Sequence, residues 1–265
     1  MKTLRIGAFQ FKSGSEIAEN SAAILRAINS AAEECVRLLV FHECASCGYP
    51  PVETPDINAI NYTALEDLHA TVAKLAAAHK MYIALGSIRT ENHRRFNSIL
   101  LFSPEGGVEF YYDKRALWGW DSDNFTRGEK LGITELDGVK VGFRICFEVR
   151  FPEYFRELFD HGTELCFVSF SDTAETPSPE RYGIIKSHLI TRAVENVMTV
   201  VSVNSASRYQ TAPTAVFDPS GHVLAEAPAN EEFLLIYDYE AKEPTFGQRG
   251  IIENINIVND RKKQP

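Results

Sequence analysis

The fold class of this chain is constrained first by how it opens: an alternating segment from Leu4 to Phe11, a helical-period stretch from Ser15 to about Val36, and then the unbroken apolar run Leu38-Leu39-Val40-Phe41. Alternation at period two predicts a strand, spacing near 3.6 a helix lying on a sheet, and an uninterrupted apolar run a strand covered on both faces. The helical stripe runs through Ile17, Ile24, Ile28, Ala31 and Cys35. Strand, helix and strand in this order make a right-handed crossover, so the two strands are expected to be parallel neighbours. Glu43 then stands at the carboxyl end of the second strand, the edge at which open α/β sheets build their sites. It reads either as a surface carboxylate at a strand exit or as a base aimed into a cleft.

The same reasoning carries along the chain. Thr63 to Lys80 predicts a second helix with Leu65, Leu68, Val72, Leu75 and Ala76 on one face, and Met81 to Ile88 and Asn97 to Phe102 predict strands. Ser103-Pro104-Glu105-Gly106-Gly107 is turn chemistry leading into Val108 to Tyr112, so this part is expected to be antiparallel. The returning strand ends at Asp113-Lys114. Arg115 to Lys130 is then a long irregular segment, and its Trp118 and Trp120, beside Asp121 and Asp123, argue for an ordered functional loop. Val139 to Ile145 reads as a strand that stops at Cys146, and Pro152 with Glu153 suits the first turn of a helix reaching about His161.

Leu165 to Phe170 predicts a further buried strand, and Ser178-Pro179-Glu180 supplies an N-cap, a first-turn proline and an early acid for a helix to about Asn196. Val197 to Val203 is expected to be a strand, Pro213 to Phe217 and His222 to Ala227 a hairpin, and Phe233 to Tyr239 the last strand. One short repeat is visible. Phe102-Ser103-Pro104-Glu105-Gly106-Gly107-Val108 and Phe217-Asp218-Pro219-Ser220-Gly221-His222-Val223 share Phe, Pro, one Gly and Val at an offset of 115 residues (102 to 217), each after a strand-helix-strand stretch. The expected fold is therefore α/β: two similar halves packed sheet against sheet with helices outside, a four-layer α-β-β-α sandwich with internal pseudo-two-fold halves.

Composition permits this and narrows the partners. At 265 residues and 45% apolar content a large core is sustainable, and no linker or charge block divides the chain, so residues 1–265 are expected to form a single domain. The formal charge of −9 opposes a nucleic-acid partner, which would need a basic face, and Arg261-Lys262-Lys263 is expected to be a solvated tail. Met1 to Ile6 shows no apolar stretch of secretory length, and no run approaches the roughly 18 apolar residues of a membrane span. The five cysteines, Cys35, Cys44, Cys47, Cys146 and Cys166, are an odd number that fits a reducing compartment. The expected location is the cytoplasm, with no membrane partner.

Chemistry enters at the strand ends. Cys146 is expected on a sharp turn, its thiol projecting beside free backbone N–H groups that favour a thiolate and can hold an oxyanion. The run also fits a buried strand cysteine acting as a small hydrophobe. Glu43, Lys114 and Cys146 each end an expected strand. If those ends converge, the chemistry is acyl transfer to a thiol: a base takes the thiol proton, sulfur attacks a carbonyl or nitrile carbon, and a cation with backbone N–H groups holds the developing charge.

These segments carry a resemblance. Phe41-His42-Glu43, then Tyr112-Asp113-Lys114 with Leu117, then Gly142-Phe143-Arg144-Ile145-Cys146-Phe147-Glu148-Val149-Arg150-Phe151-Pro152-Glu153, resemble the three signatures of the nitrilase superfamily of carbon-nitrogen hydrolases. Arg192-Ala193-Val194-Glu195-Asn196, Val203-Asn204 and Asp218-Pro219-Ser220-Gly221 resemble its later helix, strand and turn, so the resemblance spans nearly the whole chain in order. It implies an α-β-β-α sandwich and a Glu-Lys-Cys triad that hydrolyses non-peptide C–N bonds through a thioester. By position, Glu43 is then general base and later acid, Lys114 holds the oxyanion with the Phe147 backbone N–H, and Cys146 is the nucleophile. It further implies no metal or organic cofactor, and a homodimer or larger homo-oligomer, with residues 241–265 a C-terminal tail packing on the partner.

The chain departs from the family pattern at several positions. His42 stands where many members have proline, Phe147-Glu148 where many have Tyr-Asp, and Asp121 where the loop after the lysine commonly supplies a second glutamate. Aspartate keeps the charge and shortens the reach by one methylene; Asp123 and Glu148 are the alternatives for that role. Cys44-Ala45-Ser46-Cys47 has metal-pair spacing, but no second pair completes four ligands. Cys166 is expected in the core and His42 packed beside the base. Arg150 is expected in a charge network with Glu153 and Glu157, or else facing a substrate carboxylate. The Ser171 to Pro177 loop is expected to line the pocket, with Ser171 supporting the substrate. The expected activity is hydrolysis of a small linear amide with release of ammonia. N-carbamoyl amine or nitrile hydrolysis is the neighbouring alternative, and a non-catalytic oligomeric binding module is the alternative from another class.

Overall fold

The computed structural model describes the backbone of residues 2–262 and the side chains of residues 2–260. In chain order the first half holds β1 (Thr3–Gln10), α1 (Ile17–Glu33), β2 (Leu38–Phe41), α2 (Tyr62–His79), β3 (Tyr82–Glu91), β4 (Arg94–Phe102) and β5 (Val108–Asp113). A short α3 (Asp121–Asn124) leads to β6 (Ile133–Leu136), β7 (Val139–Ile145), α4 (Pro152–Asp160), β8 (Leu165–Phe170), β9 (Thr173–Ala174) and α5 (Pro179–Glu195). The chain continues through β10 (Thr199–Asn204), β11 (Tyr209–Gln210), β12 (Ala215–Phe217), β13 (Val223–Glu226), β14 (Phe233–Glu240) and α6 (Phe246–Lys262).

Period-two sorting of side chains builds the layers. Ile6 and Ala8 of β1 and Leu38 and Val40 of β2 enter an inner core with Val141, Phe143 and Phe167 from the other sheet. Their neighbours Phe9, Leu39 and Phe41 point the other way, onto Ile24 and Ile28 of α1 and Leu68 and Val72 of α2. This is why β2 is apolar at every position: it has no solvent face. On the far side, Phe155 and Leu158 of α4 and Ile185 and Leu189 of α5 cover Cys166, Val168 and Val200. Each such side chain contributes about 1.5–3 kcal/mol on burial, and the two sheets are thereby held face to face as an α-β-β-α sandwich.

The halves correspond strand for strand. One sheet runs β14-β1-β2-β3-β4-β5 and the other, read from its opposite edge, β6-β7-β8-β10-β12-β13. In each, an antiparallel edge strand is followed by three parallel strands and two antiparallel returns. The edge strands differ in origin. β6 immediately precedes β7, whereas β14 comes from the end of the chain and pairs with β1 in register from Thr3↔Glu240 to Gln10↔Phe233. The repeat read between 102 and 217 marks equivalent hairpin turns.

Some local expectations are corrected. Helix α1 stops at Glu33, and Cys35 is exposed in a left-handed turn (φ 56°), so it leaves the buried stripe. Ser178 makes no side-chain cap at α5. Strand β6 was not foreseen, and the segment after Lys114 includes α3. In α6, Phe246, Ile257 and Val258 are exposed, and Asn259 donates to Asp160 (2.7 Å). The expectation of a solvated Arg261-Lys262-Lys263 concerns side chains outside the described residues. Among the described residues, no helix is long and apolar enough to cross a membrane.

Helix α2 is also tied to the strand ends by polar contacts: His69 Nε2 meets Ser87 Oγ at 2.8 Å, and Ser46 Oγ donates to the same oxygen at 2.8 Å. Burial holds the imidazole down to about 4 from an ordinary 6.5. A histidine kept neutral by folding contributes stability that is complete above 6.5 and is lost as pH falls through about 4. His69→Gln, which can hydrogen bond but does not titrate, should remove on the order of 2 kcal/mol of the acid loss in urea unfolding. Equal pH slopes for the two proteins would show that this histidine does not carry the effect.

Candidate active site

Three strand ends deliver the chemistry. Glu43 leaves β2 and is followed by Cys44 in the left-handed region (φ 51°); Cys146 leaves β7 and is itself left-handed (φ 47°). Such backbone costs on the order of 1 kcal/mol or more for a residue with a side chain, and here it turns the chain sharply at each end. Lys114 follows β5, its backbone N–H bonded to the Asn97 carbonyl at 2.8 Å. Two glycines permit the close passages: a Cβ at Gly86 would lie 1.9 Å from the His42 carbonyl oxygen, and one at Gly128 would lie 2.1 Å from that of Asp113.

At the centre is Lys114, 1% exposed, with Nζ 2.8 Å from Glu43 Oε1 and 2.8 Å from Asp121 Oδ2. Glu43 Oε1 also accepts from Asn97 Nδ2 at 2.7 Å, and Oε2 accepts from the backbone N–H of Ser171 at 2.9 Å. Asp121 is fully buried, accepting from the Tyr49 hydroxyl (2.7 Å) and the Trp118 N–H (3.0 Å). The Tyr49 oxygen in turn accepts from Trp120 Nε1 at 3.2 Å. Every oxygen of the two carboxylates is therefore directed. Such a site resists rearrangement, because removing one member strands the others without water.

Cys146 sits where the inner core meets the helix-covered core and keeps some exposure to a cavity of about 520 Å³. Tyr49, Trp118, Phe147, Arg150 and Ser171 line it. Trp118 packs on Phe147 with ring centroids 5.5 Å apart. Burial pushes the Cys146 thiol well above its ordinary range, the Glu43 charge adds to this, and Lys114 opposes it. The expectation of a thiolate favoured by a helix start meets an opposing influence here: desolvation outweighs Lys114 and favours the protonated thiol. Burial also raises Glu43, with Lys114 opposing. For Lys114, burial alone would lower the ammonium, but Glu43, Cys146 and Asp121 carry it well above its usual value. Glu43 and Lys114 stand within electrostatic reach of Cys146, and a proton-accepting carboxylate, a cation and a thiol so placed are the equipment of acyl transfer to sulfur.

The other candidates separate. Glu148 does not face Lys114; it accepts from Tyr112 Oη (2.8 Å), Arg115 N (2.6 Å), Ala116 N (3.2 Å) and Ile145 N (2.7 Å) and so ties β7 to the loop after Lys114. Asp123 is exposed. Glu157 pairs with Arg115 (2.5 Å) and Arg144 (3.7 Å), so the expected network with Arg150 does not form. His42 is buried against Phe11 with Nδ1 3.1 Å from the Glu43 carbonyl. Cys44, Cys47 and Cys166 are buried. Tyr49 and Asn97 were missed; the one trace of Asn97 is an amide next to Ser98 just before the apolar run of β4, and of Tyr49 an aromatic beside Gly48 in a proline turn.

The family model described as carbon-nitrogen hydrolase matches residues 5–243. The chain is 30% identical over 236 residues to the 2-oxoglutaramate amidase of Bacillus subtilis, covering 85% of each chain. It is 24% identical to the omega-amidase of Mus musculus, covering 92% of this chain and 91% of that one. Among solved structures, a variant of the amidase from Nesterenkonia sp. AN1, with the acetamide moiety of fluoroacetamide added to its active-site cysteine, matches at a TM-score of 0.82 and 20% identity over 98% of this chain and 96% of that one.

Because Glu148 satisfies one hydroxyl and three backbone N–H groups in a buried setting, Glu148→Ala is expected to cost about 3–5 kcal/mol in denaturant unfolding. A loss below about 1 kcal/mol would mean that water replaces it at little cost.

Proposed function

This chain belongs to the carbon-nitrogen hydrolase family, and on that premise we propose that it hydrolyses a small linear amide through a Cys146 thioester, releasing ammonia. The observation that carries the reading is the Lys114 ammonium, buried between Glu43 and Asp121, with Cys146 opening on the cavity that Tyr49 and Ser171, the residues holding those two carboxylates, also line. Glu43 takes the thiol proton as sulfur attacks the amide carbon, and the carbonyl electron pair moves onto oxygen. Lys114 holds that oxyanion together with the Phe147 backbone N–H, which lies in the first turn after the nucleophile, where helical N–H groups lack partners. Glu43 then gives its proton to the leaving nitrogen, the C–N bond breaks, and ammonia departs. Water, deprotonated by the same carboxylate, attacks the thioester and frees the acid and the thiol.

The amide is favoured over carbamoyl and nitrile substrates by the relatives, which are named as amidases. Cavity charge narrows the class. Arg181 pairs with Asp172 (2.7 Å) and Arg208 with Glu175 (3.0 Å), whereas Arg150 has no carboxylate partner among the described residues. A substrate carboxylate remote from the amide would supply one, in keeping with a relative named for 2-oxoglutaramate.

Two tests follow from this chemistry. Cys146→Ala should abolish ammonia release with the fold intact; turnover by that variant would end the thioester mechanism. In a panel of amides, those bearing a distal carboxylate should show kcat/KM at least about tenfold above their uncharged counterparts, a preference that Arg150→Gln removes. Equal use of both kinds would remove the carboxylate from the reading and leave the amidase standing.

A further inference from the structure

Ten residues past the proposed base, Glu53 gathers more hydrogen bonds than any role in the reaction explains. Its Oε2 accepts from Ser13 Oγ (2.8 Å) and from the Tyr49 backbone N–H (2.9 Å); its Oε1 accepts from Ser205 Oγ (2.9 Å) and from Ser207 Oγ. The donors come from three separate segments: the loop after β1, the turn after β2, and the loop after β10 in the opposite sheet. A carboxylate offers about four acceptor sites, and here all are taken; an amide in its place would turn N–H groups toward donors. The turn is closed from both sides, since the Glu53 N–H donates to the Tyr49 carbonyl at 2.8 Å.

Tyr49 is the residue so fixed, and it belongs to the site wall. Its ring lies 5.6 Å from Lys114 Nζ, and its hydroxyl donates to Asp121, the second carboxylate on that ammonium. We propose that Glu53 is a positioning residue: it fixes Tyr49 against the opposite sheet, and through the Tyr49 hydroxyl it sets Asp121 and the direction in which Lys114 points. Glu53 touches neither thiol nor cavity. The inference rests on the amidase reading given above and adds to it a dependence that spans both halves of the fold.

If Glu53 acts through Tyr49, the two positions must be coupled in turnover. Glu53→Gln and Tyr49→Phe are each expected to lower kcat about tenfold with a smaller change in KM, and the double variant to be about tenfold slower than wild type, not about a hundredfold. Losses that multiply in the double variant, or an unchanged kcat in Glu53→Gln, overturn the proposal. Should Glu53→Gln fail to fold, Ser207→Ala removes a single donor, and its loss must likewise vanish in the Tyr49→Phe background; a loss that persists there overturns it too. Amide turnover by the wild-type protein, read as ammonia release, is scored separately. Its failure would count against the amidase reading, and additivity with that turnover intact against Glu53 alone.

Discussion

An ammonium group shut away from water dictates the arrangement of everything near it. Stripping a lysine head group of hydration costs several kcal/mol, which only nearby anions of good geometry offset. Lys114 has two, Glu43 and Asp121, each at 2.8 Å. Neither anion can relax into solvent, so each is held by further donors: Asn97 and the Ser171 N–H on one, Tyr49 and the Trp118 N–H on the other. The result is a polar cluster in which one ammonium and two carboxylates are each held by directed bonds. Asp121, the first residue of α3, reaches the ammonium with its short side chain while also accepting from the Trp118 N–H and the Tyr49 hydroxyl.

The cluster exists only because two sheets meet at their carboxyl ends. Glu43 comes from one sheet and Cys146 from the other, and the seam between them is laced by short polar contacts. The Glu43 N–H donates to the Phe170 carbonyl at 3.3 Å, Ser169 Oγ donates to the Phe41 carbonyl at 2.9 Å, and the Ala206 N–H donates to the Phe11 carbonyl at 2.9 Å. Glu148 and Glu53 act in the same way farther out, each a carboxylate satisfying donors from segments distant in sequence. Buried carboxylates with every lone pair engaged fix relative position more sharply than apolar packing does, because their bonds are directional.

Much of the fold was legible because burial writes itself into periodicity. The all-apolar β2, the stripe of α2 and the paired hairpin turns announced two covered sheets, and the strand ends at Glu43, Lys114 and Cys146 could be placed before any coordinates. What could not be read had no periodic signature. Strand β6 is short and half-exposed, and β14 pairs with β1 across more than two hundred residues, a closure that follows from an open sheet edge and not from any local pattern. Glu157 is expected beside Arg150, and Glu148 is an alternative to Asp121; a charged side chain has several neighbours within reach, and three-dimensional proximity to Arg115 and Tyr112 chose among them.

By itself the sequence determined most of the strands and helices, which residues carry reactive groups, and that those groups stand at strand ends, since backbone propensity and apolar spacing are local properties. Only the tertiary structure decided that Asp121 and not Glu148 faces the ammonium, that Tyr49 and Asn97 hold its two carboxylates, and that burial favours the protonated form of the Cys146 thiol. Those are matters of distance and desolvation, and both arise when segments far apart in the chain exclude water from a common space.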